Sequence, residues 1–441
     1  MNSKILQSFE KIAVEQPDKI CVLDDVQQRT RQQVMQQVEA VAEELKEYQH
    51  QVIGLLADNS LEWLIMDLAA QRAGIILLPL PLFFTPAQLQ HALQSAGAIG
   101  LMHDRPLMID DDFLGESRFV KSLMMTFTAC RNISVIALPS GTAKITFTSG
   151  STADPKGVCL SNDNQYQVSQ SLLTVLQMKN VRHLALLPLS TLLENIAGLY
   201  TPLLSGGEII LLGMEKTGFS GSLAGNIYQL LSTISHYQPE SLILVPELLS
   251  ALLLAAEQGW QPPESLRFIA VGGSRVASEI IERARKFGLP VYEGYGLSEC
   301  SSVVSLNTPT QDKPGTAGKI LPHVDIQTEK GEITVSGNAF LGYIGTDLSH
   351  SNTFSTGDMG YLDPDGFLII QGRKKQLLIS SYGRNINPEW VESEVLAHPG
   401  ILQCVLFGDA KPYCTALIYT RLNDAALENW LLQVNKKLPA Y

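Results

Sequence analysis

An apolar run at residues 52–57, a polar turn at Asp58-Asn59, an apolar-periodic stretch at 60–73 and a second apolar run at 75–80 follow one another directly. In the middle stretch Leu61, Leu64, Ile65 and Leu68 recur at helical spacing, and Gly74 stands where a helix would stop. Strand, helix and strand in that order make a βαβ unit. Such a crossover demands a parallel sheet with helices on its faces.

The order repeats further on. Residues 268–271 read as a strand, Gly272-Gly273-Ser274 as a turn, 277–286 as a helix stopped at Gly288, and 290–292 as another strand. Apolar runs at 183–189, 208–212 and 242–245 predict more buried strands, and Val34, Val38, Val41 and Leu45 mark one face of a helix over 31–48. After about Gly315 the pattern changes. Short strands at 331–336, 366–371 and 376–380 alternate with Gly- and Asp-rich turns, followed by a helix at 388–397, strands at 401–407 and 414–419, and a helix from Asp424. The expectation is an α/β chain with two domains. A large N-terminal domain (1–373) would hold parallel-rich sheets flanked by helices, and a small α+β domain (374–441) would follow Arg373-Lys374-Lys375.

Charge and cysteine usage narrow the function. Asp and Glu outnumber Lys and Arg by 44 to 32, a net charge of -12 that disfavours nucleic acid as a partner. The greasiest run, 75–84, contains Pro79 and Pro81 and reads as a strand with its exit, so no transmembrane segment is expected. Residues 1–11 lack the basic and apolar blocks of a secretion signal. The six cysteines form no CxxC pair and the eight histidines are scattered, which argues against a zinc site or disulfide framework and fits the cytoplasm. Cys300, beside Glu299, reads as a packing residue.

One loop carries chemistry. Thr148-Ser149-Gly150-Ser151-Thr152-Ala153-Asp154-Pro155-Lys156-Gly157 follows a strand at 145–148. Hydroxyls, backbone N–H groups exposed at small residues and one lysine are what a polyphosphate needs. It is not a Walker loop, because Lys156 follows Pro155 rather than glycine. Richness in Ser, Thr and Gly alone would describe a polar surface loop. The ordered Pro155-Lys156-Gly157 behind it points to phosphate.

This segment resembles the signature loop of the adenylate-forming superfamily, which includes acyl-CoA synthetases, adenylation domains of peptide synthetases and luciferases; the long-chain fatty acyl ligases resemble it most. Ala153 departs from the usual glycine there. Glu293-Gly294-Tyr295-Gly296-Leu297-Ser298-Glu299 looks like the family's Tyr-Gly-x-Thr-Glu motif with serine for threonine. The resemblance implies that Glu299 holds Mg²⁺ against the phosphates of ATP, Ser298 donates to the α-phosphate and Tyr295 packs on the base. Gly272-Gly273-Ser274 would lie beside adenine. Thr356-Gly357-Asp358 resembles the ribose motif, with Asp358 accepting from both hydroxyls and Arg373 contacting ribose or phosphate. Lys375 matches the hinge about which the small domain turns. Gly383, in Tyr382-Gly383-Arg384-Asn385-Ile386-Asn387-Pro388, would line a channel for the pantetheine of CoA or of an acyl carrier protein. Asp363-Pro364-Asp365-Gly366 is a type I turn rather than a calcium loop.

Residues 187–194 resemble the border of the acyl pocket, with Thr191 where long-chain enzymes carry histidine. Thr191, Asn195, Tyr200 and Leu297 are the candidate pocket residues. Their surroundings are apolar and no aspartate stands ready to pair an ammonium group, so an apolar acid, fatty or aryl, is favoured over an amino acid. The implied reaction is ATP-dependent formation of acyl-AMP and pyrophosphate, then transfer to a thiol, with Lys156, Glu299 and Lys375 as catalytic groups. Family members carry a further catalytic lysine beyond a segment like Leu438-Pro439-Ala440-Tyr441, so the small domain reads as shortened. The rival reading is a relative that binds nucleotide and acyl group with little adenylation. A kinase-like phosphotransferase is disfavoured by Pro155.

Overall fold

Val52–Leu56 and Ile76–Pro79 lie side by side and parallel, joined by the helix Leu61–Ala73, as the βαβ reading requires. Ser60 caps that helix by accepting the Trp63 N–H, and Gly74 ends it in the left-handed region at φ 71°. The computed structural model describes residues 3–148, 156–220, 223–346 and 353–438. Among these the βαβ pair belongs to an eight-stranded mixed sheet. Its flank beside Ile76–Pro79 is the antiparallel hairpin Lys144–Thr148 and Lys156–Leu160, edged by Gly342–Tyr343.

A second, nine-stranded sheet has a parallel centre made of Phe268–Val271, Ser241–Leu244, Arg182–Leu184 and Glu208–Ile210. The helix Leu61–Ala73 lies between the two sheets and packs against both in one core. This corrects the one-faced helix expected there: Trp63, Met66 and Asp67 are as buried as Leu64 and Leu68. By contrast Val34, Val38, Val41 and Leu45 are fully buried as their spacing predicts.

Two strands differ from expectation in a way that shapes the site. The run 183–189 is a strand only over Arg182–Leu184. After Pro188, Thr191 N–H closes a turn on the Pro188 carbonyl and the chain enters a π-helix, Leu193–Tyr200. The strand expected at 290–292 instead runs over Val291–Leu297 and includes the whole Glu293-Gly294-Tyr295-Gly296 motif. It begins parallel to Phe268–Val271 and ends antiparallel to Ser302–Leu306, shifting register between Tyr295 and Gly296. A Cβ on Gly296 would stand 1.6 Å from the Ser302 carbonyl oxygen, so no larger residue fits that bulge.

Four antiparallel strands follow: Val324–Glu329, Glu332–Gly337, Thr353–Leu362 and Leu368–Arg373. The turn at Asp363 is closed by Gly366 N–H on the Asp363 carbonyl, and Lys313 Nζ reaches both Asp363 and Asp365. Next come the helix Pro388–Leu396, the hairpin Ile401–Phe407 with Thr415–Thr420, and the helix Asp424–Lys437. Val395, Ile401, Trp430 and Val434 pack in one core with Ala277 and with Ile281 and Ala284 of the helix Ser278–Lys286 that follows it. Among the described residues no helix is long and apolar enough to cross a membrane.

Candidate functional site

The hairpin that flanks the first sheet sets Thr148 directly opposite Lys156. Ser149, Gly150, Ser151 and Thr152 lie outside the described residues. The edge strand Gly342–Tyr343 pairs with the other side of Lys156–Leu160, bringing Tyr343 against both candidates of this region. Tyr343 donates its hydroxyl to Glu299 Oε1 at 2.9 Å, and Lys156 Nζ stands 5.2 Å from the Tyr343 ring centroid. Burial, aided by the Glu299 charge, pushes the Tyr343 phenol up, so it stays a donor at neutral pH. Tyr343 is a site residue that sequence reading missed.

Asp358 lies on the strand Thr353–Leu362, opposite Arg373 on Leu368–Arg373. Arg373 Nε is 3.2 Å from Asp358 Oδ1, and Tyr295 OH donates to Asp358 Oδ2 at 2.6 Å. Asp358 is buried while Arg373 is half exposed, so the pair presents a guanidinium outward and a fixed carboxylate behind it. Arg275 reaches the same neighbourhood, donating to the Ile370 carbonyl at 3.3 Å with its guanidinium 5.6 Å from the Trp390 ring centroid. Burial pushes the Glu389 carboxyl up, and Arg373 pulls it back.

A cavity of about 470 Å³ opens beside these groups. Gly272, Gly273, Gly294, Tyr295, Gly296, Leu297 and Ser298 line it, and so does Thr191. Its remaining wall is largely apolar, with Leu172, Leu176, Ala197, Phe268 and Ala270 among its members. The alternation of the parallel strands explains this, since Phe268, Ala270 and Gly272 share one sheet face.

Other candidates are placed elsewhere. Glu293 points away from the cavity and accepts the Val276 N–H at 3.3 Å, steadying the turn after Gly272-Gly273. Burial pushes its carboxyl up to about 7. Ser274 is exposed on that turn, and Lys375 and Gly383 are exposed too. Cys300 is buried, and burial pushes its thiol up, as befits a packing residue. Asn195 and Tyr200 do not line the cavity. They face Lys144 Nζ, which donates to Asn195 Oδ1 at 2.5 Å and to Tyr200 OH at 2.8 Å and pairs with Asp67 at 2.7 Å, all buried.

The same π-helix sends Glu194 the other way, where it meets His183 at 2.8 Å; both are buried. Glu194 is the buried carboxylate near the pocket that the sequence reading did not find. A Cβ on Gly198 would stand 2.3 Å from Glu194 Oε1, so the pair exists because residue 198 is glycine.

Among the described residues no cluster of three or more His, Cys, Asp or Glu is placed to hold a metal alone. A single carboxylate such as Glu299 nevertheless suits Mg²⁺, which is commonly held by one or two carboxylates together with substrate phosphates.

The two-sheet fold with its antiparallel C-terminal segments is one that solved ligases share. The o-succinylbenzoate coenzyme A synthetase of Bacillus subtilis in complex with AMP superposes with a TM-score of 0.77 at 24% identity, covering 97% of this chain and 91% of that one. An anthranilate CoA ligase in complex with anthranoyl-AMP gives 0.83 at 18% identity, covering 99% and 91%. At such identities the likeness is one of fold. Sequence settles the family: the chain belongs to the AMP-binding enzymes, whose family model matches residues 9–344. It is 36% identical over 290 residues to the 2-succinylbenzoate–CoA ligase of Bacillus velezensis. That match takes in 62% of this chain and 56% of the relative, so the chain spans little more than half of the relative's length.

Proposed function

We propose that the chain uses ATP to activate an apolar carboxylic acid, fatty or aryl, and passes the acyl group to CoA. The observation that carries this reading is a shared cavity: residues proposed for the nucleotide (Gly272, Gly273, Tyr295, Ser298) and for the acid (Thr191, Leu297) line the same space. An acid carboxylate in that space can reach an α-phosphate held at its mouth. A carboxylate oxygen attacks the α-phosphorus, the bond to the β-phosphate breaks, and pyrophosphate leaves. The CoA sulfur then attacks the acyl carbon and AMP leaves.

Asp358 binds the ribose hydroxyls, with Arg373 beside it, and Lys156 with the donors of the 148–152 loop neutralises phosphate charge. Mg²⁺, held by Glu299, supplies charge neutralisation at the phosphates when bound. Residues 374–441 act as a small domain turning about Lys375, and Gly383 lines the thiol path after that turn. The exposure of Lys375 and Gly383, outside the cavity wall, supports this.

The test is acid-dependent exchange of radiolabelled pyrophosphate into ATP, followed by AMP release with and without CoA. Exchange that requires an acid, with AMP release rising on addition of CoA, is the expected result. ADP production with no exchange from any fatty or aryl acid would overturn the proposal.

A further inference from the structure

The strand Lys144–Thr148 is fastened to its parallel neighbour Ile76–Pro79 at a single register pair, Leu77 with Lys144. Past that point, among the described residues, it runs only with its hairpin mate Lys156–Leu160, as far as Thr148 opposite Lys156. The four steps from Lys144 to Thr148 span about 13 Å at ~3.3 Å per residue. Two groups proposed for the phosphates thus stand at the far end of a ribbon whose fastened end is Lys144.

Successive side chains alternate, so Lys144 and Thr148 share one face, with Leu160 and Lys156 opposite them. On that face Lys144 Nζ is buried within reach of three oxygens: Asn195 Oδ1 at 2.5 Å, Asp67 Oδ1 at 2.7 Å and Tyr200 OH at 2.8 Å. Asn195 and Tyr200 both donate to Asp67 Oδ2, at 3.5 and 2.5 Å, so the acceptors brace one another. They come from two elements, the helix Leu61–Ala73 and the π-helix Leu193–Tyr200. The grip is the same whether the shared proton sits on Lys144 or on Asp67, because nitrogen and oxygen hydrogen-bond in either form.

Stability alone does not account for a lysine at this place. Apolar residues of similar volume commonly serve a core as well as a buried ion pair does, or better. Hydrocarbon packing lets a strand tilt or slide, whereas three directed bonds fix where it points. The ammonium is committed to these oxygens, so its effect on the phosphates passes along the strand.

We infer that Lys144 is a positioning residue. Held by Asp67, Asn195 and Tyr200, it aims the ribbon so that Thr148 and Lys156 meet the pyrophosphate portion of ATP. This rests on the phosphate assignment in the ligase reading above.

The test is calorimetry of MgATP and of AMP without acid, so that no turnover occurs. AMP lacks the pyrophosphate portion, and its proposed hold is Asp358. The first variant, Lys144→Met with Asp67→Leu, removes both charges and keeps the core filled. Its ATP affinity should fall about tenfold, the scale of one charged hydrogen bond, with AMP within about twofold of the unaltered chain. Tyr200→Phe takes one oxygen from the grip and leaves the ion pair. It should weaken ATP about threefold with AMP unchanged, and it decides alone if the double variant does not fold. A merely structural role would shift the urea midpoint while leaving both affinities intact, or lower the two together, and either result overturns the inference. Lys156→Ala tests the assignment beneath it. Should that variant bind ATP as the unaltered chain does, the phosphate assignment fails and this inference with it, a result separate from any change at Lys144.

Discussion

The hydroxyl of Tyr295 donates to Asp358 Oδ2 at 2.6 Å, tying the strand that lines the cavity to the antiparallel sheet that follows it. The bond leaves Asp358 Oδ1 toward Arg373, 3.2 Å away, so one carboxylate is held from two directions. Burial and the Asp358 charge both push the Tyr295 phenol up, which keeps it a donor.

Removing that carboxylate should remove the nucleotide. Asp358→Ala is expected to weaken ATP and AMP binding at least about tenfold by calorimetry, roughly the loss of a charged hydrogen bond. Tyr295→Phe keeps the carboxylate but strips one donor from it, and should weaken binding less. Unchanged AMP affinity in Asp358→Ala would refute the ribose assignment.

Glu293 makes stability depend on pH. Its carboxyl ordinarily titrates near 4.5 and burial raises it to about 7 in the fold. Between those values the folded chain binds more protons than the unfolded one, so stability is fullest below 4.5 and declines as pH rises through 7. The full difference is about 3 kcal/mol at ~1.4 kcal/mol per pH unit. Glu293→Gln should flatten this decline in urea titrations run from pH 5 to pH 8. A variant that keeps the wild-type slope would show the decline arises elsewhere.

The Lys144–Asp67 pair is fully buried at 2.7 Å, and burial holds the Lys144 amine below its ordinary range. Replacing one partner strands a charge. Lys144→Met or Asp67→Leu alone is expected to cost about 3–5 kcal/mol in urea unfolding, while the two together should recover part of that loss. Additive single costs in the double variant would mean the two charges do not interact.

Glu299 is proposed to hold Mg²⁺, and Tyr343 steadies it at 2.9 Å. Glu299→Ala should lower exchange about 10²–10³-fold, the usual loss on removing one electrostatic contact to reacting phosphates. Tyr343→Phe should lower it less and raise the Mg²⁺ concentration needed. Full exchange by Glu299→Ala at low Mg²⁺ would exclude this carboxylate as the ligand.

Much of the frame could be read from the chain. The βαβ unit at 52–80 announced itself because period-3.6 and continuous apolar runs are set by burial, and burial is what the fold imposes. Asp358 and Arg373 were likewise named from motifs, although their partnership needs the register of two strands. The pocket residues were harder. Asn195 and Tyr200 were placed by apolar neighbourhood, but a π-helix bonds five residues back rather than four and turns those side chains toward Lys144. Glu194 escaped notice because its partner, His183, stands on a strand that ends sooner than its apolar sequence suggests. Nothing local marks such a pair, except that Gly198 four residues on leaves room for it.

The π-helix Leu193–Tyr200 constrains how this chain could change its diet. Glu194 on one side braces the cavity, and Asn195 and Tyr200 on the other grip Lys144 at the root of the strand that ends in Thr148. A substitution there that reshapes the pocket also loosens the strand leading to the phosphates. Divergence toward new acids has a freer path at Leu172 or Leu176, whose side chains line the cavity from the helix Asn162–Leu176.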